Sequence, residues 1–351
     1  MKHGCFTSVG QTKNGMKSYL VMNDVYDTFL TKSDWAYDHI VPISPDASNR
    51  KYFRLTSCSG SAILMDAELE SPKSFDAFQD VANYLNSIGL SAPEIYASDR
   101  THRLMLLQDL GVRTFAQDLE IDQALEPERY KAAISMLCRL QAGPGMKRSV
   151  ATPDNLTEML NPFFEVPEVA NCTHGNLQLM RTKLHELFNR SLSKQSTLSL
   201  RDCHVENLVW IPNRTGPAQV GILDFQDAFN CDPCYDLVSL LWDVRRDLDE
   251  DLREYLINSF AFKKGIDRTQ ISRAINALKL QRNLRILGIF DRLVSQGKTK
   301  YATFVPRTLR YVHATNESMR VSNVSNGHFR SRFWNPDAGI NCRHPQATSV
   351  V

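Results

Sequence analysis

Three oxygen-bearing side chains follow one another in the second half of the sequence: Asp202, Asn207 and Asp224. A carboxylate can receive the proton of an attacking hydroxyl, and a carboxylate together with an amide oxygen suits the hard cation Mg²⁺. Transfer of a phosphoryl group from a nucleotide needs both of these functions. The residues therefore predict phosphoryl transfer, with Asp202 orienting and deprotonating the acceptor hydroxyl and with Asn207 and Asp224 as magnesium ligands.

The sequence between these side chains predicts a hairpin that positions them. Two short apolar runs, 208–211 and 220–223, flank the sequence Pro-Asn-Arg-Thr-Gly-Pro, which is a strong turn signal. Pairing of the two strands would bring Asn207 and Asp224 to the same end of the hairpin. Asp202 would then lie one loop away, facing the position of the acceptor hydroxyl.

The same segment resembles the catalytic centre of kinase-like phosphotransferases. The spacing Asp202-x-x-x-x-Asn207 followed by Asp224-Phe225 is similar to their catalytic loop and metal-binding aspartate. The fuller string Arg-Asp-Cys-His-Val-Glu-Asn at 201–207 resembles the aminoglycoside phosphotransferase family, which includes choline and small-sugar kinases. The resemblance implies a small-molecule kinase that uses ATP and Mg²⁺.

Two further strings narrow the resemblance to one branch of that family. Asp-Phe-Gln-Asp-Ala at 224–228 and Tyr-Asp-Leu-Val-Ser-Leu at 235–240 are similar to kinases that phosphorylate the anomeric hydroxyl of N-acetylmuramate and N-acetylglucosamine in cell-wall recycling. The resemblance covers about Ile43 to Ala314. An aminoglycoside or choline-type kinase remains an alternative, and so does a non-catalytic regulator that binds nucleotide.

Local patterns agree with the bilobal, protein-kinase-like α+β fold that the resemblance implies. Strand-like runs with polar turns fill residues 40–67, which suits a small β-rich N-lobe before a larger α-helical C-lobe. Helical spacing predicts helices over 127–141, 176–193, 240–262, 267–294 and 305–315. The expected divisions are an N-terminal extension (1–37), a nucleotide-binding N-lobe (38–110), a helical C-lobe with the catalytic loop (111–317) and a polar, disordered tail (318–351).

The nucleotide site departs from the usual kinase pattern in the small lobe. The polar turn 46–51 stands in place of a glycine-rich phosphate loop, and Met65 stands where a phosphate-binding lysine is usual. Small polar residues and nearby cations can still donate hydrogen bonds to phosphate. In the resembling family, the segment after the strand 104–107 is the hinge that meets the nucleotide base. The predicted ATP contacts are Ser48, Asn49, Arg50, Lys51, Gln108 and Asp109.

Four residues are expected to support the catalytic loop: Arg201, His204, Asp227 and Asp236. Arg201 can pair with a carboxylate, and His204 can bond to the loop backbone or to the metal-binding aspartate. Asp227 can orient the neighbouring loop or reach the metal through water. Asp236 is either the N-cap of a following helix or, as the resemblance implies, a brace for the loop. Leu200 replaces a histidine of many relatives, so the loop must be braced differently.

The acceptor pocket is expected between the catalytic loop and the C-terminal helices. The resemblance assigns its polar contacts to Asp243, Arg245, Arg246 and Arg282. A polycationic aminoglycoside would favour an acidic pocket, so the adjacent pair of arginines argues against that acceptor. The substitutions in the small lobe and before the catalytic aspartate keep the non-catalytic regulator open.

Composition limits the partners of the chain. A length of 351 residues, 42% of them hydrophobic, suffices for two packed lobes, and a formal net charge of +2 gives no reason to expect nucleic acid or a membrane as partner. No apolar run has the length of a membrane helix, and the first residues have no signal-peptide core. A cytoplasmic protein with a small-molecule substrate is therefore expected, with its oligomeric state undetermined. Most of the eight cysteines, including Cys231 and Cys234, are expected to be free thiols.

Overall fold

An antiparallel sheet dominates the first part of the chain. The structure, a computed structural model, describes residues 24–43, 50–58, 60–171 and 173–319. The elements of this first part are α1 (Asp24–Lys32), β1 (His39–Ile43), β2 (Lys51–Ser57), β3 (Gly60–Asp66), α2 (Pro72–Ser87), β4 (Ile95–Asp99) and β5 (Leu104–Gln108). Within the described residues, the five strands are ordered β1-β2-β3-β5-β4, and every neighbouring pair is antiparallel.

The two faces of the sheet bury different apolar sets, because side chains alternate along a strand. Phe53 and Leu64 lie on the face that packs against α1. Met65 and Met105 lie on the opposite face, in the same core as Phe78 of α2. Met65 is completely buried. Strand β3 therefore supplies an apolar side chain at the point where a phosphate-binding lysine is usual.

Helices make up most of the rest of the described chain. They are α3 (Phe115–Ile121), α4 (Glu126–Ala142), α5 (Pro153–Glu158), α6 (Asn161–Phe164), α7 (Pro167–Ala170), α8 (His174–Ser191), α9 (Cys234–Leu241), α10 (Glu250–Lys264), α11 (Arg268–Ser295) and α12 (Val305–Met319). Among the described helices, α11 is the longest, with 28 residues, and it packs against α6, α8, α9 and α12. A Cβ atom at Gly288 of α11 would lie 2.1 Å from the carbonyl carbon of Pro162, so glycine permits the close approach of α6.

Two short antiparallel pairs surround the predicted catalytic residues. Their strands are β6 (Thr197–Ser199), β7 (Leu208–Trp210), β8 (Val220–Ile222) and β9 (Phe229–Cys231). Strand β7 pairs with β8, and β6 pairs with β9. The backbone N–H of Leu223 also donates to the carbonyl oxygen of Asn207 at 2.9 Å. The predicted hairpin is therefore confirmed, and its open end joins the segments that carry Asn207 and Asp224.

One predicted helix of the C-terminal region differs in the structure. The helix predicted over 240–262 is two helices, α9 and α10. Helix α9 ends at Leu241, and α10 begins after Asp249, whose carboxylate accepts a hydrogen bond from the backbone N–H of Leu252 at 3.0 Å. An N-capping aspartate inside the predicted span is a start signal for a new helix, which explains the difference.

The last described helix reaches the start of the predicted C-terminal tail. Helix α12 extends to Met319, past the start of the predicted tail at 318. Residues 1–23 and 320–351 lie outside the described residues, so the proposed extension and tail stay predictions, as do the exact limits of the two lobes. In the described part of the chain, no helix combines the length and the apolar character needed to cross a membrane.

Candidate active site

A buried carboxylate holds the catalytic loop, which we define as residues 200–207. Asp236 is completely buried and accepts hydrogen bonds from the Ser199 hydroxyl at 2.8 Å and from the backbone N–H groups of Leu200 and Arg201 at 2.7 and 3.1 Å. Burial raises the pKa of Asp236 to about 6, although these hydrogen bonds oppose the shift. Asp236 thus braces the loop through backbone groups, which need no histidine at position 200.

The alternative reading of Asp236 as a helix N-cap is wrong. Helix α9 begins at Cys234, its N-cap position is Pro233, and Asp236 lies inside its first turn. The carboxylate therefore points away from the free N–H groups of its own helix and toward the preceding segment.

Arginines from helix α11 approach Asp202. The Arg282 Nη1 atom donates to the carbonyl oxygen of Arg201 at 3.0 Å and lies 3.4 Å from Asp202 Oδ1. Burial disfavours the charged form of Asp202, but the positive charges of Arg282, Arg285 and Arg201 outweigh it and hold the pKa of this carboxyl below its usual range. Asp202 is therefore ionised at neutral pH. A carboxyl group must be ionised to receive the proton of a hydroxyl group.

Asn207 is oriented by its amide nitrogen. The Nδ2 atom donates to the carbonyl oxygen of Asp202 at 2.9 Å and lies 3.3 Å from His204 Nε2. Because the amide nitrogen can only donate, His204 Nε2 is the acceptor and the ring proton lies on Nδ1. These contacts leave the amide oxygen of Asn207 as the atom available to a metal ion.

His204 is buried and neutral. Burial lowers its pKa to about 4, and the neighbouring Arg245 charge acts in the same direction. Its contact to Asn207 uses the neutral ring, so protonation would place a second donor against the amide nitrogen. His204 therefore supports the position of a proposed metal ligand.

Replacing His204 by glutamine is expected to reduce the acid sensitivity of the fold. The folded-state pKa of about 4 lies below the ordinary value of 6.5, so the unfolded chain binds the proton more readily than the folded one. The contribution of this group to the free energy of unfolding should be constant above pH 6.5 and should decrease by about 3 kcal/mol as the pH falls from 6.5 to 4.

Urea denaturation of both proteins, in steps from about pH 7 to about pH 4.5, measures this effect. Glutamine can still accept a hydrogen bond from the Asn207 amide, but it cannot take up the proton. The variant should therefore lose less stability over this range than the wild-type protein. Equal losses in the two proteins would contradict the assignment of a buried neutral histidine.

Asp224 lies at the exit of strand β8, in an unusual backbone conformation. Its φ is 55°, in the left-handed region, where aspartate is tolerated but most residues are strained. The side chain reaches solvent, and Gln226 Nε2 donates to its Oδ1 at 2.8 Å. Phe225, completely buried against Phe78 at a ring distance of 4.8 Å, anchors this turn between the two regions of the chain.

The charges around Asp224 suit a cation. Desolvation by the surrounding walls raises the pKa of Asp224, and the negative charges of Asp202 and Asp227 add to it, while Gln226 and Arg50 act in the opposite direction. A carboxylate with an elevated pKa among other carboxylates is stabilised by a bound metal ion. With the amide oxygen of Asn207, Asp224 offers the oxygen ligands that magnesium prefers when phosphate oxygens complete its coordination.

Of the predicted phosphate contacts, Arg50 and Lys51 have different surroundings. Arg50 is 2% exposed, donates through Nη2 to the Ser74 hydroxyl at 3.0 Å and lies 5.6 Å from the ring centroid of Phe78. Lys51 is largely exposed and pairs with Asp66 at 3.3 Å. Since the charge of Arg50 also acts on Asp224, Arg50 is the cation on the side of the proposed metal ligand. Ser48 and Asn49 lie outside the described residues.

The predicted hinge is held by an ion pair. Asp109 accepts two hydrogen bonds from Arg54, at 2.8 and 3.2 Å, and a third from the backbone N–H of Gly111 at 3.1 Å. The backbone N–H of Gln108 donates to the backbone carbonyl oxygen of Glu94 at 2.8 Å. The carboxylate of Asp109 is thus occupied by its own lobe, and any contact of this residue with a nucleotide base must use backbone groups.

The predicted acceptor contacts fall into separate ion pairs. Arg245 bridges Asp243 at 3.1 Å and Glu206 at 2.6 Å. Arg246 pairs with Glu126 of helix α4 at 2.6 Å. Arg282 contacts the catalytic loop, as described above. These contacts make the side chains part of the scaffold around the loop.

A cleft of about 400 Å³ adjoins the catalytic loop, and we call it the acceptor cleft. None of Asp243, Arg245, Arg246 and Arg282 lines it. Its walls are formed by Ser149, Val150, Ala151, Asn155, Glu158, Met159, Arg201, Asp227 and Phe229. The sequence predicted Arg201 and Asp227 as supports of the catalytic loop, and it gave no prediction for Phe229 or for the lining residues between 149 and 159. Their only local signal is the capping box of Thr152 and Asn155, which predicts a helix and no function.

The remaining reactive side chains in this region are buried cysteines. Cys203, Cys231 and Cys234 are 1% exposed, and burial raises the pKa of each thiol well above its usual value. In the part of the chain that the structure describes, no group of three or more His, Cys, Asp or Glu side chains is arranged to hold a metal. The proposed magnesium site is of another kind, with one carboxylate, one amide oxygen and the phosphates of the nucleotide.

The sequence is similar to a known protein family and to individual kinases. Residues 39–271 match the family described as "Phosphotransferase enzyme family". An N-acetylmuramate/N-acetylglucosamine kinase of Caulobacter vibrioides is 34% identical over 254 residues, which cover 68% of this chain and 69% of the relative. A kinase of the same name from Pseudomonas aeruginosa is 28% identical over 288 residues, covering 78% of this chain and 82% of the relative.

Solved structures confirm the predicted fold class. The choline kinase LicA of Streptococcus pneumoniae superimposes with a TM-score of 0.61 at 12% identity, covering 83% of this chain and all of the other. A thermostable mutant of the aminoglycoside phosphotransferase APH(4)-Ia, in a ternary complex with ADP and hygromycin B, gives a TM-score of 0.57 at 13% identity, covering 83% of this chain and 99% of the other. These similarities concern the fold.

Proposed function

This chain belongs to the phosphotransferase enzyme family and is a small-molecule kinase, and we propose that it transfers the γ-phosphoryl group of ATP, with Mg²⁺, to the anomeric hydroxyl of N-acetylmuramate and N-acetylglucosamine. The observation that carries the proposal is the set of Asp202, Asn207 and Asp224 around one hairpin, each held by its own contacts. The names of the curated relatives supply the acceptor.

The proposed reaction is a direct transfer between two oxygens. Asp202 orients the acceptor hydroxyl and takes its proton as the acceptor oxygen bonds to the γ-phosphorus, while the bond from this phosphorus to the β–γ bridging oxygen breaks and ADP leaves. Asn207 and Asp224 would hold magnesium, which when bound would neutralise charge on the phosphates. Arg50 donates hydrogen bonds to a phosphate in place of the missing lysine.

The charges near Asp202 favour this acceptor over the alternatives. Choline and aminoglycosides are cations, and Arg201, Arg282 and Arg285 lie around the proposed base. These three positive charges disfavour a cationic acceptor next to Asp202 but not a neutral or acidic sugar, while Glu158 and Asp227 add negative charge to the cleft wall further from them. The non-catalytic regulator is disfavoured because Asp236 holds the catalytic loop and His204 holds Asn207. A protein that only binds nucleotide would not need these residues to be fixed. We further propose that the enzyme acts in the cytoplasm, where ATP is available.

Nucleotide consumption by the full-length protein tests the proposal. ADP formation is measured with ATP and Mg²⁺ in the presence of each sugar, choline or an aminoglycoside, and ³¹P NMR identifies the phosphorylated position. We expect turnover with the two sugars and a phosphate coupled to the anomeric proton. The reduced sugar alcohol of N-acetylglucosamine, which has no anomeric hydroxyl, is the matched control and should not react. Turnover with choline alone would overturn the acceptor, and no acceptor-dependent turnover would favour the regulator.

A further inference from the structure

Among the described residues, one arginine beside the catalytic loop has no hydrogen-bond or ion-pair partner. Arg282 is used by the carbonyl oxygen of Arg201 and by Asp202. Arg285, which is half-buried, makes no hydrogen bond or ion pair with any other described residue. Burial and the charges of Arg201 and Arg282 lower the pKa of the Arg285 guanidinium, while Tyr235 and Asp202 act in the opposite direction without reversing the shift. A partly desolvated cation with two cationic neighbours is stabilised when a further anion joins it.

Arg285 is not one of the side chains that line the acceptor cleft, but its position on α11 places it beside the 155–159 segment, which supplies part of the cleft wall. Residues three or four apart share one face of a helix. On this face, Gln281 donates to the carbonyl oxygen of Leu156 at 3.2 Å, and Gly288 packs against Pro162. Arg285 lies between these two contacts, one turn after the arginine that touches the catalytic loop. It therefore lies between that loop and the 155–159 wall of the cleft.

Arg201 belongs to the same cationic group. It lines the acceptor cleft, and its Nη1 atom is 3.7 Å from Asp227, too far for a good hydrogen bond. Its buried Nε has no hydrogen-bond partner in the described structure. The charges that act on Asp224 come from Asp202, Arg50 and Asp227, whereas Arg285 acts on Asp202. Arg201 and Arg285 thus act on the proposed base Asp202, and neither is among the main charges that act on Asp224.

We propose that Arg285, assisted by Arg201, binds the carboxylate of an acidic acceptor, so that the cleft distinguishes an N-acetylated amino sugar bearing a carboxylate from its neutral counterpart. This inference rests on the proposed function. The guanidinium group matches a carboxylate with two parallel hydrogen bonds, which a neutral sugar cannot offer. N-acetylmuramate is N-acetylglucosamine with an added lactyl ether, and this ether ends in one carboxylate. The relatives' names contain both sugars.

The experiment compares Arg285→Gln with the wild-type enzyme on three acceptors. They are N-acetylmuramate, its methyl ester, which removes the charge but keeps the lactyl ether, and N-acetylglucosamine. In the wild-type enzyme, kcat/KM for the acid should exceed that for the ester by about 10- to 100-fold, as expected for a charged hydrogen-bonded pair. Arg285→Gln should remove most of this ratio, and Arg285→Lys, which keeps the charge but not the planar fork, should retain part of it.

Two measurements keep the result specific. Arg273→Gln makes the same change at an exposed position of the same helix, and it should leave the acid-to-ester ratio unaltered. Thermal denaturation shows whether each variant is folded. An acid-to-ester ratio near one in the wild-type enzyme, or an Arg285→Gln variant that slows all three acceptors equally, overturns the carboxylate subsite.

Failure of the proposed function would look different. If the wild-type protein consumes ATP with neither sugar, the reaction assigned to it is wrong. Calorimetric binding of the acid and the ester in the presence of ADP then decides the subsite, with the same ratio expected in the wild-type protein and lost in Arg285→Gln. Binding of the two compounds with equal affinity would overturn it.

Discussion

Replacing Asp202 by asparagine is expected to lower kcat for sugar phosphorylation by about 100- to 10,000-fold, the usual range for a positioned proton acceptor. Asparagine has nearly the same size, so the sugar and ATP should still bind and their KM values should change little. The loss should appear in kcat because the amide cannot take the hydroxyl proton. Steady-state ADP formation at saturating ATP and sugar measures the effect.

The fold of this variant must be separated from its chemistry. Arg282 Nη1 lies 3.4 Å from Asp202 Oδ1 but also donates to the Arg201 carbonyl oxygen at 3.0 Å, so it keeps one partner after the substitution. An unchanged melting temperature is therefore expected. Asp251→Asn, an exposed carboxylate in the first turn of α10, is the matched control and should retain activity. An Asp202→Asn variant with wild-type kcat would remove this residue from the mechanism.

The local part of the site was predictable from the sequence. The turn at 212–217 and its two apolar flanks fix the β7–β8 hairpin, because strand pairing follows from period and turn chemistry within a short segment. The hydrogen bond between the Leu223 N–H and the Asn207 carbonyl oxygen at the open end follows from that register. The catalytic prediction therefore depended on interactions between residues that are close in the sequence.

The acceptor side of the site was not predictable in the same way. The cleft wall at 155–159 meets α11 through Gln281 and Leu156, which are 125 positions apart in the sequence. No periodicity or cap encodes such a contact, since it depends on how complete helices pack. The resemblance predicted that Arg245 and Arg246 contact the acceptor. In the structure, both side chains form ion pairs with carboxylates around the catalytic loop.

The choice between two neighbouring cations also required the structure. Arg50 and Lys51 are equivalent as sequence, but successive side chains in an extended segment point to opposite sides. Arg50 turns toward Ser74 and Phe78 of α2, and Lys51 turns toward Asp66 and solvent. One buried cation near Asp224 can therefore compensate for the methionine on β3, whereas the sequence showed only that the lysine is missing.

Replacing Asp224 by alanine is expected to reduce kcat by at least about 100-fold and to raise the Mg²⁺ concentration needed for half-maximal activity. A metal ion that stabilises transferring phosphate contributes several kcal/mol, and each 1.4 kcal/mol corresponds to about tenfold in rate. Asp227→Ala is the comparison, because its carboxylate is exposed and lies 3.7 Å from Arg201. A loss below about tenfold would fit an orienting role for Asp227, and a loss equal to that of Asp224→Ala would make it a metal residue.

A binding measurement separates metal loss from other causes of inactivity. In the wild-type protein, Mg²⁺ should strengthen the calorimetric affinity for ADP, because Asn207 and Asp224 bind the metal that the phosphates also bind. In Asp224→Ala this strengthening should disappear, while ADP without Mg²⁺ should bind at least as well as before, since one negative charge near the phosphates has gone. Retention of the full Mg²⁺ effect would contradict the assignment. The raised pKa of Asp224 among Asp202 and Asp227 gives the physical reason for the expectation: this turn concentrates negative charge that a cation relieves.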